Sequence, residues 1–138
     1  MSSSDILTRL NAGKPRFLEL MGAEVTAVDP AALSCTISFA ISTDYCHSGD
    51  IVQGGFVAAM LDAAMSHAAF AVEDNIINVA SLEIKTIYLE PSRAGTFQAT
   101  GRLVKVGRSI GFMAGELYNG DGVLTATATT TAKLVRAR

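Results

Sequence analysis

The stretch Gly54-Gly-Phe-Val-Ala-Ala-Met-Leu-Asp-Ala-Ala-Met-Ser-His-Ala-Ala-Phe-Ala-Val72 decides the fold. It is apolar almost all round, and a helix without a polar face is enclosed by other structure rather than laid on a surface. Its length approaches that of a bilayer span, so insertion has to be weighed. Asp62, Ser66 and His67 lie inside it, and a central Asp costs roughly 2.5–3.5 kcal/mol on insertion. Ala and Gly outnumber Leu and Ile, and no basic flank sets an orientation. The segment reads as a buried central helix, with no membrane partner.

Upstream of it, Ser3–Ala12 has the pattern of a short helix, with a cap at Ser3 or Ser4 and Ile6, Leu7 and Leu10 on one face. Gly13 and Pro15 end it, and Phe17–Met21 is apolar. A strand runs from Gly22 to about Val28. After the Asp29-Pro30 turn, Leu33–Ile41 alternates, with Leu33, Cys35, Ile37 and Phe39 on one side. Residues Ser42–Gln53 read as a loop. Downstream, the period changes to two over Asn78–Glu90, Thr96–Val106, Ser109–Tyr118 and Val123–Val135. Asn119-Gly-Asp-Gly122 is a hairpin signal whose central positions call for positive φ.

Two strands, one buried helix and four long strands in a meander contain no βαβ repetition. The expectation is an α+β chain: an antiparallel sheet of about six strands wrapped around one helix at about 54–72, with a short N-terminal helix. Gly101, Gly111 and Gly115 would let the strands bend. One domain accounts for residues 1–138.

The charged fraction, 17% against 49% hydrophobic, is low for a small chain with a large surface to keep soluble. Burial of some surface against further copies is expected. A net charge of −2 with no basic run excludes a nucleic-acid footprint. Cys35 and Cys46 form no CxxC pair, and two distant histidines with scattered carboxylates make no ligand set. No metal or other cofactor is expected. Met1–Asp5 has neither a basic nor an apolar leader region, so the expected location is the cytoplasm.

Asp62 is the most informative residue. Its neighbours within one turn are nearly all apolar, and a carboxylate there is costly unless it is paired, hydrogen-bonded or functional. A structural Asp at a subunit seam would leave the same trace. Gln53-Gly54-Gly55 opens the helix with free N–H groups at the positive end of its dipole, suited to an oxyanion; a tight turn would use the same residues. Gly54 and Asp62 are eight residues apart, roughly 12 Å along one helix. That is too far to touch one carbonyl group. If they cooperate, Asp62 of one subunit meets Gly54 of another, and antiparallel central helices would make two such sites.

His47 precedes the helix and could bond a carbonyl or a water, or act as a base; a solvated loop histidine would leave the same trace. Cys46 beside it would point the other way in extended chain. His67 suits a satisfied core or interface histidine; Ser66, one turn after Asp62, is a candidate substrate-binding residue like Gln53 and Gly55, or simply a hydroxyl bonded to a backbone carbonyl. Ser81, early in the strand after the helix, could orient water or substrate. Gly107-Arg108-Ser109 offers a cation and N–H groups to a coenzyme A phosphate.

The run His47-Ser-Gly-Asp-Ile-Val-Gln-Gly-Gly-Phe-Val-Ala-Ala-Met-Leu-Asp62 resembles the motif of the phenylacetate-degradation (PaaI-type) branch of hotdog-fold acyl-CoA thioesterases. Ser81–Pro91, Gly101–Ser109 and Glu116–Thr130 are similar to the same family, so the resemblance covers about residues 15–135. It implies that Asp62 is the general base or nucleophile, that the Gly54 N–H polarises the thioester carbonyl, and that Ser81 helps place the attacking water. Gln53 stands where many members have His, and His47 where many have Asn; a neutral imidazole can donate a similar bond. Homodimers, usually paired into homotetramers, with acyl-CoA across the interface, are implied as well. The expected activity is acyl-CoA hydrolysis. A hydratase or dehydratase pairing His47 with Asp62, and a non-catalytic acyl-CoA-binding module, are the alternatives.

Overall fold

The computed structural model describes residues 2–138. Helix α1 (Ser3–Ala12) is capped by Ser2 rather than Ser3 or Ser4. The Ser2 hydroxyl accepts from the Asp5 N–H, and the Asp5 carboxylate accepts from the Ser2 N–H, so two otherwise orphaned donors are satisfied reciprocally. Ile6 and Leu10 face the core. Pro15 begins a second short helix, α2 (Arg16–Leu20), where only an apolar run was foreseen. Strands β1 (Glu24–Asp29) and β2 (Ser34–Ile41) follow, and β2 buries Cys35, Ile37, Phe39 and Ile41 on one face.

Residues 42–53 are more ordered than a loop. A 3-10 turn (Thr43–Tyr45) leads into the antiparallel pair β3 (Cys46–Ser48) and β4 (Ile51–Val52). Gly49 turns between them at φ 56°. Helix α3 (Gly54–Val72) comes next, then β5 (Ile76–Tyr88), β6 (Gly95–Val106), β7 (Ile110–Asn119) and β8 (Leu124–Arg136).

The six long strands form one antiparallel sheet in the order β1-β2-β6-β7-β8-β5. The four strands after α3 are therefore not one meander. β6–β8 are sequential neighbours, whereas β5 pairs with the last strand and stands at the edge. Alternation says which face of a strand is buried and nothing about which edge it pairs along. In the β7–β8 hairpin only Gly122 takes positive φ, at 79°. The Asn119 carboxamide oxygen accepts from the Asp121 and Val123 N–H groups, replacing the compact two-residue turn.

The sheet curves around α3. Val57, Met60, Leu61, Ala64, Met65 and Ala68 are 1% exposed or less. By length and composition α3 could cross a membrane; here its apolar bulk is covered by strands. A Cβ on Gly101 would lie 2.3 Å from the carbonyl carbon and oxygen of Ala64. Gly101 thus lets helix backbone sit directly on β6, a close-approach role in place of the bending foreseen for it. The helix is not enclosed on every side. Gly55 and Phe56 are exposed, and Ala58, Ala59, Asp62 and Ser66 are half-buried, a stripe at helical spacing. One central helix in a curved six-stranded sheet is the hotdog architecture.

Candidate active site

Asp62 lies on the half-open stripe of α3, facing β5. The Ser81 hydroxyl donates to Asp62 Oδ1 at 2.8 Å. Oδ2 makes no hydrogen bond among the described residues, which leaves it free to accept a proton. Asp62 and Ser66 line a cavity of about 490 Å³ whose opposite wall is built by α1 and α2, including Leu10, Phe17 and Leu18. The Ser66 hydroxyl has no hydrogen bond among the described residues, contrary to the expected bond to a backbone carbonyl.

At the other end of the exposed stripe, Gln53 precedes α3 without a side-chain cap. Its carbonyl accepts from Phe56 and Val57, but the Gly54 and Gly55 N–H groups have no acceptor among the described residues. They point out of the helix N-terminus with the dipole behind them, as an anion site requires. A Cβ on Gly54 would meet the Tyr88 hydroxyl at 3.1 Å, whereas Gly55 opens on empty space. The Tyr88 hydroxyl donates to the Gly54 carbonyl at 2.8 Å. Tyr88 was not singled out from the sequence, where it is simply the last aromatic of a strand.

His47 sits on β3, exposed, with Nδ1 2.7 Å from the Ser48 hydroxyl oxygen. It shares a second cavity, about 420 Å³, with Gly54 and Tyr88. The single chain thus sorts the expected residues into two groups. Asp62, Ser66 and, through its hydrogen bond, Ser81 belong to one cavity; His47 and Gly54 belong to the other. Gly107, Arg108 and Ser109 line neither. Their turn is held by Arg136, which donates to the carbonyls of Arg108 and Gly107 at 2.8 and 3.1 Å and pairs with Glu73. No local pattern around Arg136 announces that tether.

Two buried groups have shifted acidities. Burial pushes the Cys35 thiol up to about 12, which keeps it protonated and inert. Burial also lowers the pKa of His67, partly offset by its hydrogen bond to the Ala63 carbonyl. Among the described residues no group of His, Cys, Asp and Glu is placed to hold a metal ion.

A carboxylate and an open helix N-terminus thus lie on opposite stretches of one hotdog helix. The family comparison makes the assignment. The model of the Thioesterase superfamily matches residues 49–126, more than half the chain, and the chain belongs to that superfamily. Among curated proteins it is similar to the medium/long-chain acyl-CoA thioesterase YigI of Salmonella typhimurium, 27% identical over 94 residues, covering 59% of this chain and 61% of that protein. The matched region spans about three-fifths of the length of the curated relatives. Among solved structures, a phenylacetic acid degradation-related protein of Ralstonia eutropha superposes with TM-score 0.83 at 29% identity, covering 93% of this chain and 98% of that one. The Escherichia coli PaaI protein superposes at 0.82 with 16% identity over 97% and 96% of the two chains, a likeness of fold.

Proposed function

We propose that the protein hydrolyses an acyl-CoA thioester in a site shared by two copies of the chain. The observation that carries this reading is the division of the site. Asp62 with Ser81 and the free N–H groups of Gly54 and Gly55 are separated by roughly 12 Å of helix, yet both face the same uncovered stripe of α3. The neighbouring edge strand β5 leaves Ile77 63%, Leu82 60% and Tyr88 54% exposed. An apolar sheet edge of this kind calls for a partner. A two-fold pairing there, with helices antiparallel, brings Asp62 of each copy to Gly54 of the other.

In that arrangement the Gly54 N–H, helped by Gly55, receives the thioester oxygen as it becomes an oxyanion, an effect worth roughly 10²–10³ in rate per donor. Asp62, its Oδ1 fixed by Ser81, takes a proton from water as the water oxygen bonds to the carbonyl carbon. The C–S bond then breaks, coenzyme A leaves as a thiol after recovering that proton, and the free acid is released. Direct attack by Asp62, giving an anhydride that water opens, uses the same geometry. His47, in the Gly54 cavity, is placed to bond the carbonyl or water. Arg108, on the tethered turn, offers its cation to a coenzyme phosphate. Cytoplasmic location and pairing of dimers into tetramers belong to the same proposal.

Release of coenzyme A from a panel of acyl-CoAs, followed with a thiol reagent, tests the reading. Asp62→Asn should fall at least about a hundredfold; wild-type rates in that variant would sink the assignment. Turnover of enoyl-CoA to the 3-hydroxyacyl-CoA without thiol release would favour a hydratase instead.

A further inference from the structure

Besides Asp62 itself, the polar side chains that line its cavity are Arg9, Ser66, His67 and Asn78; only His67 is buried, and the hydrolytic chemistry does not use it. Along α3 it is lined by Asp62, Ala63, Ser66, His67 and Phe70, one stripe of the helix at spacings of one, three and four residues. Most of the opposite wall is apolar, from Leu10, Phe17 and Leu18. His67 is only 7% exposed. Its Nδ1 lies 2.8 Å from the Ala63 carbonyl oxygen. A carbonyl only accepts, so Nδ1 carries the hydrogen, and in the neutral ring Nε2 is then a bare acceptor. The Phe70 ring, edge-on at 5.7 Å between centroids, braces the imidazole. On the far side Arg9 donates to the Phe70 carbonyl at 2.9 Å, fixing α1 against the end of the helix.

Nε2 has no hydrogen-bond partner among the described residues. It is also not sealed in the protein: the only buried side-chain nitrogen or oxygen without a partner among the described residues is Arg9 Nε. Nε2 therefore keeps some open surface, and the space that His67 lines is this cavity. An acceptor held in a largely apolar pocket favours a guest that brings a donor and disfavours one that leaves it dry.

We infer that His67 is a specificity-determining residue, whose Nε2 selects acyl groups bearing a hydroxyl deep in the chain. The inference rests on the proposed thioesterase reading for the position of the thioester, beside Asp62. His67 is five residues further along α3, roughly 7.5 Å of rise and about 140° of turn, which sets the two Cα atoms about 8.6 Å apart. At about 1.3 Å advanced per bond of extended chain, the hydroxyl falls about six to seven bonds beyond the thioester carbonyl carbon. The substrate class is thus an acyl-CoA with an apolar body and a remote hydrogen-bond donor.

The test uses an isosteric pair, 6-hydroxyhexanoyl-CoA and heptanoyl-CoA, which differ by a hydroxyl in place of a methyl group. Calorimetric binding is measured on Asp62→Asn, so that neither ligand turns over, and on the same protein carrying His67→Leu. The full-length Asp62→Asn protein should bind the hydroxylated ligand about tenfold more tightly, the effect of one neutral buried hydrogen bond. Adding His67→Leu should abolish or reverse that preference, and His67→Gln, which keeps an acceptor, should preserve part of it. Equal or weaker binding of the hydroxylated ligand to Asp62→Asn overturns the inference by itself, whether or not the His67 variants fold. A preference that survives His67→Leu overturns it too. Absence of coenzyme A release by the wild type would count against the thioesterase reading alone, because the binding comparison needs no hydrolysis.

Discussion

Gly101→Ala tests whether the seating of α3 on β6 sets both stability and the position of Asp62. The new Cβ would stand 2.3 Å from the Ala64 carbonyl carbon and oxygen and 2.4 Å from the Met65 nitrogen. These are backbone atoms in the middle of the helix, so no rotamer change relieves the overlap. Restoring ordinary contact, about 3.5 Å or more, requires helix and strand to part by more than about 1 Å. Overpacking of this order costs about 3 kcal/mol or more, a large share of the stability of a small domain. Gly115→Ala is the control on the next strand. Its Cβ would meet Met65 Cγ at 3.2 Å and the Thr100 carbonyl oxygen at 3.3 Å, and a methionine can yield, so about 1 kcal/mol is expected. Urea unfolding followed by far-ultraviolet circular dichroism suits a chain without Trp and should be run at one protein concentration. Ala64 is two residues from Asp62, so Gly101→Ala should also lower thioester hydrolysis, about a hundredfold for a 1 Å displacement. Equal midpoints for the two variants, or a wild-type midpoint for Gly101→Ala, would refute this account of the helix–sheet contact.

Ser81→Ala removes the donor to Asp62 Oδ1. It should lower kcat about tenfold, a loss of about 1.4 kcal/mol in transition-state stabilisation; unchanged kcat would remove Ser81 from the site. Cys35 is 0% exposed with its thiol raised by burial to about 12. A thiol reagent at pH 8 should therefore modify only Cys46 in the native protein and both cysteines in denaturant; two fast thiols in the native state would contradict the packing. His67 gives a pH dependence of known sign. Burial holds its pKa below the ordinary 6.5, so the unfolded chain binds its proton first as the pH falls. Its contribution to stability is fully present above 6.5 and is lost as the pH drops through the lower folded value. Denaturation midpoints between pH 7.5 and 5 should fall more steeply for wild type than for His67→Gln, and parallel curves would show that His67 does not contribute.

Much of the fold was legible because its signals are local. The apolar run 54–72, the period-two segments after it and the Gly-rich turns each report the burial of their own neighbourhood, and α3 begins and ends where that run does. The sequence missed what depends on distant chain. The exception is local: Ser2, not Ser3 or Ser4, caps α1, because its reciprocal partner Asp5 lies three residues on. The edge position of β5 follows from β6 pairing with β2, over Ser34–Ile41 against Gly95–Arg102, which no property of β5 itself announces.

The candidate site divides in the same way. Residue type and spacing in the sequence marked Asp62, Gly54 and Ser81, and helix geometry alone placed Asp62 and Gly54 too far apart for one carbonyl. Only the tertiary structure put Ser81 on Asp62, Tyr88 on Gly54, and His47 in the cavity that Asp62 does not share. His67 shows the limit most clearly. The sequence marks a histidine on an apolar helix and suggests a satisfied core residue. The fold satisfies one nitrogen within α3 and leaves the other without a partner among the described residues, on a side chain that lines a cavity walled by helices more than forty residues earlier in the chain. Short-range periodicity fixes which residues are buried; what a buried polar atom faces is fixed by which distant segments close over it.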